Sequence, residues 1–82
     1  MKKVYRFTAS WCQPCKSLKM ILDSIETDVY IETVDIDENY ALASEFKVRN
    51  VPCMVMIEDD KEIKRMVGFK SKTEITEWLS ND

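Results

Sequence analysis

Apolar and polar positions change their period several times along the chain, and each change marks an element. Lys3 to Thr8 is rich in β-branched and aromatic residues and predicts a strand. Thr8-Ala9-Ser10-Trp11 reads as a loop. From Gln13 to about Glu26 the apolar residues Leu18, Ile21, Leu22 and Ile25 fall at helical spacing. Lys16, Lys19, Asp23 and Glu26 lie largely off that stripe, as the outer face of an amphipathic helix should. Tyr30 to Ile36 predicts a second strand, and Asp37-Glu38-Asn39 a turn and helix start. Tyr40 to Phe46 then reads as a short helix with Leu42, Ala43 and Phe46 inward. Lys47 to Val51 is a loop closed by Pro52. Cys53 to Ile57 is an unbroken apolar run, which predicts a buried strand. Asp59-Asp60-Lys61 reads as a hairpin turn without the glycine such turns often use. Glu62 to Val67 returns as a strand, with Ile63 and either Arg65 or Met66 marking its faces. Ser71 and Glu74 have capping-box spacing ahead of a last helix, whose apolar side carries Ile75, Trp78 and Leu79.

The order is β-α-β-α-β-β-α. A parallel βαβ unit followed by a hairpin and a covering helix gives an α/β domain with a four-stranded mixed sheet and helices on both faces. No repeat, linker or low-complexity tract divides the chain, so residues 1–82 read as a single domain. At 82 residues little core can be wasted.

Composition narrows the function classes. Hydrophobic residues make up 45% of the chain, which argues against disorder. The net charge is −3 and no basic block overrides it, so neither nucleic acid nor a membrane is expected as partner. The apolar stripes are accounted for by one small core, and a monomer is expected. The start Met1-Lys2-Lys3 leads into an apolar run broken by Arg6, too short for a signal peptide, and nothing approaches a transmembrane length. Three cysteines are an odd set, unlike the even set of a secreted disulfide scaffold. A cytoplasmic protein is expected.

The chemistry concentrates in Trp11-Cys12-Gln13-Pro14-Cys15-Lys16. If the following run is a helix, Cys12 lies at its N-terminus and Cys15 about one turn further in. Unpaired N–H groups and the helix dipole both favour negative charge there, and the thiolate is the reactive form of cysteine. Pro14 fits the first turn, where its missing N–H costs nothing. A Cys-x-x-Cys pair has three readings. It is a redox dithiol, half of a zinc site, or a structural pair. Zinc needs two further ligands, and the chain has no histidine and one other cysteine, Cys53. The strand-loop-helix setting is the one the redox reading requires.

Trp-Cys-x-Pro-Cys-Lys after a strand resembles the active site of the thioredoxin family. The resemblance continues in Val34-Asp35-Ile36-Asp37, similar to the family's second-strand ending. Val48-Arg49-Asn50-Val51-Pro52 is similar to the segment leading into the family's cis-proline, and Gly68 stands where the family carries a glycine after its last strand. The resemblance implies a minimal thioredoxin fold, shortened relative to members that carry an extra strand and helix ahead of the active-site strand. It implies that Cys12 is the exposed nucleophile with a lowered pKa and that Cys15 resolves the mixed disulfide. It implies that Trp11 is a partly exposed wall and that Val51, Pro52 and Cys53 shape the substrate groove. Lys16 reads as a solvated first-turn residue with a secondary effect on the thiolates.

Several positions depart from the family pattern. The family's buried aspartate, six residues before the first cysteine, is replaced by Arg6, and its lysine partner by Thr33. Asp35 lies two residues beyond Thr33 and points the same way, so a charge-swapped Arg6–Asp35 pair is expected. Gln13 replaces the usual glycine between the cysteines, and Cys53 replaces the usual threonine after the proline. Cys53 reads as a buried core cysteine or as a third thiol near the pair.

The expected function is a small protein disulfide reductase working by dithiol–disulfide exchange through Cys12 and Cys15, with no bound cofactor. The resemblance implies disulfide-containing protein substrates and recharging by an NADPH-dependent thioredoxin reductase. Alternatives are a glutathione-coupled glutaredoxin-like protein, a binding subunit built on the fold, and a metal carrier using three thiols.

Overall fold

A computed structural model of the chain describes residues 1–80, so Asn81 and Asp82 of the expected 1–82 domain lie outside the described residues. The elements are β1 (Lys2–Thr8), α1 (Gln13–Asp23), β2 (Tyr30–Asp35), α2 (Tyr40–Glu45), β3 (Cys53–Glu58), β4 (Lys61–Val67) and α3 (Lys72–Ser80). They form a four-stranded sheet in the order β2-β1-β3-β4. β1 runs parallel to β2, with Arg6 opposite Thr33, and antiparallel to β3, with Phe7 opposite Cys53. β4 pairs antiparallel with β3. This is the expected β-α-β-α-β-β-α architecture.

Strand alternation divides the core between the two faces of the sheet. Val4 of β1 and Met54 and Met56 of β3 pack against Leu18 of α1 and Ile75 and Leu79 of α3. Phe7, Cys53, Val55 and Ile57 point the other way and pack with Ala43, Leu42 and Phe46 around α2. The unbroken apolar run of β3 follows from its place: it is central and covered on both faces. Tyr5, Phe7 and Phe46 form an aromatic cluster under α2, with ring centroids 5.5–6.3 Å apart.

Local chemistry fixes the element ends. The hydroxyl of Ser71 accepts from the Glu74 N–H at 3.1 Å, and the Glu74 carboxylate accepts from the Ser71 N–H at 3.3 Å, so the capping box forms at α3. Asn39 Oδ1 accepts from the Leu42 N–H at 3.2 Å and caps α2. α1 ends at Asp23 rather than near Glu26. Ser24 stops it by donating both its N–H and its hydroxyl to the Ile21 carbonyl, at 3.0 and 2.6 Å. Ile25 still packs against the α1 side of the core.

The hairpin turn is Asp59-Asp60 alone, and Lys61 already belongs to β4. Both aspartates are left-handed, with φ of 53° and 70°, the pattern of a type I′ turn. The expectation for Ile63 is corrected. Met56 pairs with Lys64 and Ile57 with Glu62, so Ile63 is the extra residue of a β-bulge and is exposed. Met66 marks the α1/α3 face, and Arg65 the other face, where its guanidinium donates to the Phe46 carbonyl at 2.7 Å.

Candidate active site

β1 ends at Thr8, and a tight turn closed by the Cys12 N–H to the Ala9 carbonyl, 3.1 Å, delivers the first cysteine. Cys12 is the N-cap of α1, with extended φ and ψ of −96° and 105°. Its sulfur occupies the place of a capping oxygen and accepts the Cys15 N–H at 3.2 Å. Negative charge on Cys12 Sγ is therefore met by a first-turn amide and by the positive end of the helix. Pro14 sits in the first turn. Cys12 and Cys15 are joined as a disulfide, with Cα atoms 5.3 Å apart.

The two sulfurs lie deeper than expected for an exposed nucleophile. Cys12 is 4% exposed and Cys15 1%, because both pack with Ala9, Ile36 and Val51.

Trp11 is 67% exposed and held in place, its Nε1–H donating to Asp37 Oδ2 at 3.1 Å. Asp37 in turn is fixed by its own N–H, which donates to Asp35 Oδ1 at 2.8 Å. The sequence marks Asp37 as a turn residue and as the end of the segment resembling the family's second-strand ending, and neither sign says that it reaches Trp11.

The Val51–Pro52 bond is cis. Val51 packs against the cysteine cluster, and the Pro52 carbonyl accepts the Gly68 N–H at 2.9 Å. Gly68 has φ of 88°, so the position after β4 calls for glycine. Gln13, Pro14 and Lys16 are exposed along the first turn of α1, and Gln13 and Pro14 share a surface pocket with Ser17 and Phe69. Sequence reasoning misses Phe69, since a lone aromatic after a strand carries no pattern.

Cys53 does not join the pair. Its side chain is 2% exposed and points into the α2-side core, while Cys12 and Cys15 belong to the cluster around Ala9. Burial pushes its thiol pKa up, opposed in part by the nearby Arg65 guanidinium. Among the described residues no three His, Cys, Asp or Glu side chains are placed to hold a metal.

The expected Arg6–Asp35 pair does not form. Arg6 is buried, at 5% exposure, and its guanidinium donates to Thr33 Oγ1 at 3.1 Å. Asp35 is engaged instead by the Asp37 N–H. Thr33 is the direct strand neighbour of Arg6, whereas Asp35 lies opposite Thr8. Burial lowers the Arg6 pKa from its usual high value, and Asp23 of α1 weakly opposes that shift.

The family model described as Thioredoxin matches residues 2–81. This chain belongs to the thioredoxin family. A thioredoxin from Chlamydia caviae is 39% identical over 77 residues, covering 90% of this chain and 76% of that protein. A solved point-mutant thioredoxin from Halobacterium salinarum superposes with a TM-score of 0.89 at 31% identity, covering 96% of this chain and 72% of that one. The oxidized mitochondrial thioredoxin 3 from Saccharomyces cerevisiae gives a TM-score of 0.85 at 29% identity, covering 96% of this chain and 76% of its own. With the Cys12–Cys15 pair at the start of α1, the chain is a thioredoxin-type thiol–disulfide oxidoreductase, a protein disulfide reductase. The family needs no bound cofactor for this exchange, and the redox group is the disulfide itself.

Proposed function

We propose that Cys12 is the nucleophile and Cys15 the resolving thiol of a single-domain disulfide reductase. The observation that carries this is the Cys15 N–H donating to Cys12 Sγ at the N-cap of α1. In the reduced chain the Cys12 thiolate attacks one sulfur of a substrate disulfide. The substrate S–S bond breaks, its leaving sulfur takes a proton, and a mixed disulfide forms. The Cys15 thiolate then attacks Cys12 Sγ. The Cys12–Cys15 disulfide forms and the second substrate sulfur leaves and is protonated. The substrate gains two electrons and two protons, and the chain loses the same. An NADPH-dependent thioredoxin reductase then restores the dithiol.

Trp11 and the Val51-Pro52 segment flank the sulfurs and bind the substrate chain. Cys53 supports that segment from the core side and does not touch substrate. Gln13, Pro14 and Lys16 tune the pair from the first turn. Asp35 acts indirectly, holding the turn that presents Asp37 to Trp11. Arg6 places a buried positive charge on the α1 side of β1, which favours the reduced, negatively charged state. The protein works as a cytoplasmic monomer, a reading that rests on its composition and cysteine usage.

The test is dithiothreitol-driven reduction of insulin by wild type, Cys12→Ser and Cys15→Ser. Wild type reduces insulin, Cys12→Ser is inert, and Cys15→Ser accumulates a mixed disulfide visible by mass. Full activity in Cys12→Ser sinks the assignment.

A further inference from the structure

β1, α1 and β2 form a crossover in which the helix runs back between two parallel strands. Val4, Arg6 and Thr8 of β1 share the face under α1, where Val4 belongs to the same core cluster as Leu18. From Leu18 back to Cys15 is about 4.5 Å along the helix, toward the active site. From Val4 to Arg6 is about 6.6 Å along the strand, in the same direction. Arg6 and Cys15 therefore lie at nearly the same height on facing layers, and both are buried, at 5% and 1% exposure. The Arg6 guanidinium bonds to Thr33, directly opposite it on β2, so its charge stays at that height. Among the described residues no carboxylate is ion-paired with it. The other charges around this part of α1 face solvent: Lys16, Lys19 and Asp23 on the helix, Asp37 beyond β2 and Arg49 ahead of Val51. Asp35 shares the Arg6 face and is half-buried, and its Oδ1 accepts the Asp37 N–H. Water and salt screen the exposed charges, whereas the buried guanidinium acts through a medium of lower dielectric.

We propose that Arg6 is the counter-charge of the Cys15 thiolate, so that reduction of the disulfide creates the anion that the buried guanidinium lacks in the oxidised chain. The inference rests on the disulfide-reductase reading and adds how its resolving thiol is ionised. Two electrons from the reductant break the Cys12–Cys15 bond and leave two sulfur anions, which take up protons from water according to pH. The Arg6 charge holds Cys15 ionised to lower pH. In the return step Cys15 attacks Cys12 Sγ as a ready thiolate. The Cys12–Cys15 bond forms again, and the departing substrate sulfur takes its proton from water. No side chain has to accept a proton from Cys15 during the attack. Arg6 touches no substrate and works only through Cys15. A unit charge about 10 Å away, across an effective dielectric of about 20, shifts an ionisation by about tenfold.

Two measurements test this. The first follows the ultraviolet absorbance of the thiolate against pH in the Cys12→Ser, Cys53→Val chain, where Cys15 is the one thiol left. Adding Arg6→Met is expected to raise the half-ionisation pH by about one unit, and Arg6→Lys to keep it near the Arg6 value. The second is the reduction potential of the Cys12–Cys15 pair against glutathione, in chains that keep all three cysteines. Above the Cys15 transition, Arg6→Met is expected to favour the disulfide about tenfold more, a potential about 30 mV lower. Below that transition the two potentials converge, because a neutral thiol gives the guanidinium nothing to hold. A half-ionisation pH unmoved in Arg6→Met, an equal move in Arg6→Lys, or a potential difference that ignores pH overturns this inference alone. Neither measurement uses a protein substrate, so a wild type inert toward insulin overturns the reductase reading and leaves these values standing.

Discussion

Arg6→Met is expected to make the protein more stable. Among the described residues, Arg6 is the buried charged one, at 5% exposure. Its guanidinium donates to one neutral oxygen, Thr33 Oγ1, at 3.1 Å, and no carboxylate of the described residues is ion-paired with it. Removing such an ion from water costs several kcal/mol even after relaxation. A hydrogen bond to a charged group returns about 1.5–3 kcal/mol. Methionine keeps the unbranched stem that packs on the α1 side and removes the charge. The net gain is about 1–3 kcal/mol, within the range seen when buried charges give way to apolar groups. For a domain of this size each kcal/mol moves Tm by about 4–8 °C. The pH dependence has a definite sign. Burial lowers the folded-state pKa of Arg6 from its usual high value, so the penalty is present in full at every pH below the folded value. It is relieved only in strong alkali. The gain from Arg6→Met should therefore be the same at pH 5 and pH 9. Urea unfolding of the oxidised protein at both pH values measures it. Thr33→Val completes a cycle: Thr33 is exposed and water can take over part of the bond, so it should cost about 0.5–1.5 kcal/mol with Arg6 present and almost nothing in Arg6→Met. A loss of stability in Arg6→Met, or a gain that changes across this range, refutes the reasoning.

The turn at Asp59-Asp60 invites Asp60→Gly, since the left-handed φ of 70° strains any residue with a Cβ. We expect a gain of about 0.5–1 kcal/mol, read as a higher urea midpoint at constant m-value. Ser71→Ala removes the hydroxyl that caps α3 and should cost about 1 kcal/mol by the same measurement. Burial raises the Cys53 pKa, so thiolate forms in the unfolded chain before it forms in the folded one, and stability should fall as pH rises above about 8.5. Cys53→Val should flatten that decline; an identical alkaline slope in the variant contradicts it. Asp37→Ala releases the Trp11 ring and should lower kcat/KM for insulin several-fold, whereas unchanged kinetics would mean that the Trp11–Asp37 bond has no part in substrate binding.

Most of the architecture was legible because its signals are local. The apolar stripe of α1, the continuous run of β3 and the Ser71–Glu74 spacing each depend on neighbours a few residues apart. The cysteine pair was legible for the same reason, since a strand, a loop and a helix start surround it in sequence. What escaped was set by pairing across the sheet. Ile63 reads as marking one face of the strand until the β3–β4 register makes it a bulge. Arg6 and Asp35 do lie on one face, but register puts Thr33 directly beside Arg6 and leaves Asp35 to its own turn. Cys53 follows Pro52 in sequence yet faces the core layer away from the other cysteines, because strand alternation turns it there. Phe69 gains its meaning only when β4 brings it against the first turn of α1.

The middle of β3 has a bearing on how long this molecule survives in use. Met54 and Met56 are each 1% exposed and hold the sheet against α1 and α3. Oxidants that convert thiols also turn thioethers into polar sulfoxides. A sulfoxide at either position would wedge a dipole into the centre of the core. Met20, at 75% exposure, is open to attack, and there the added polarity meets only solvent. Folding thus shields the vulnerable sulfurs while the chain works among oxidised partners. Damage waits on opening, and each further kcal/mol of stability makes the open chain about fivefold rarer. For the two buried methionines, resistance to oxidation therefore rises with conformational stability.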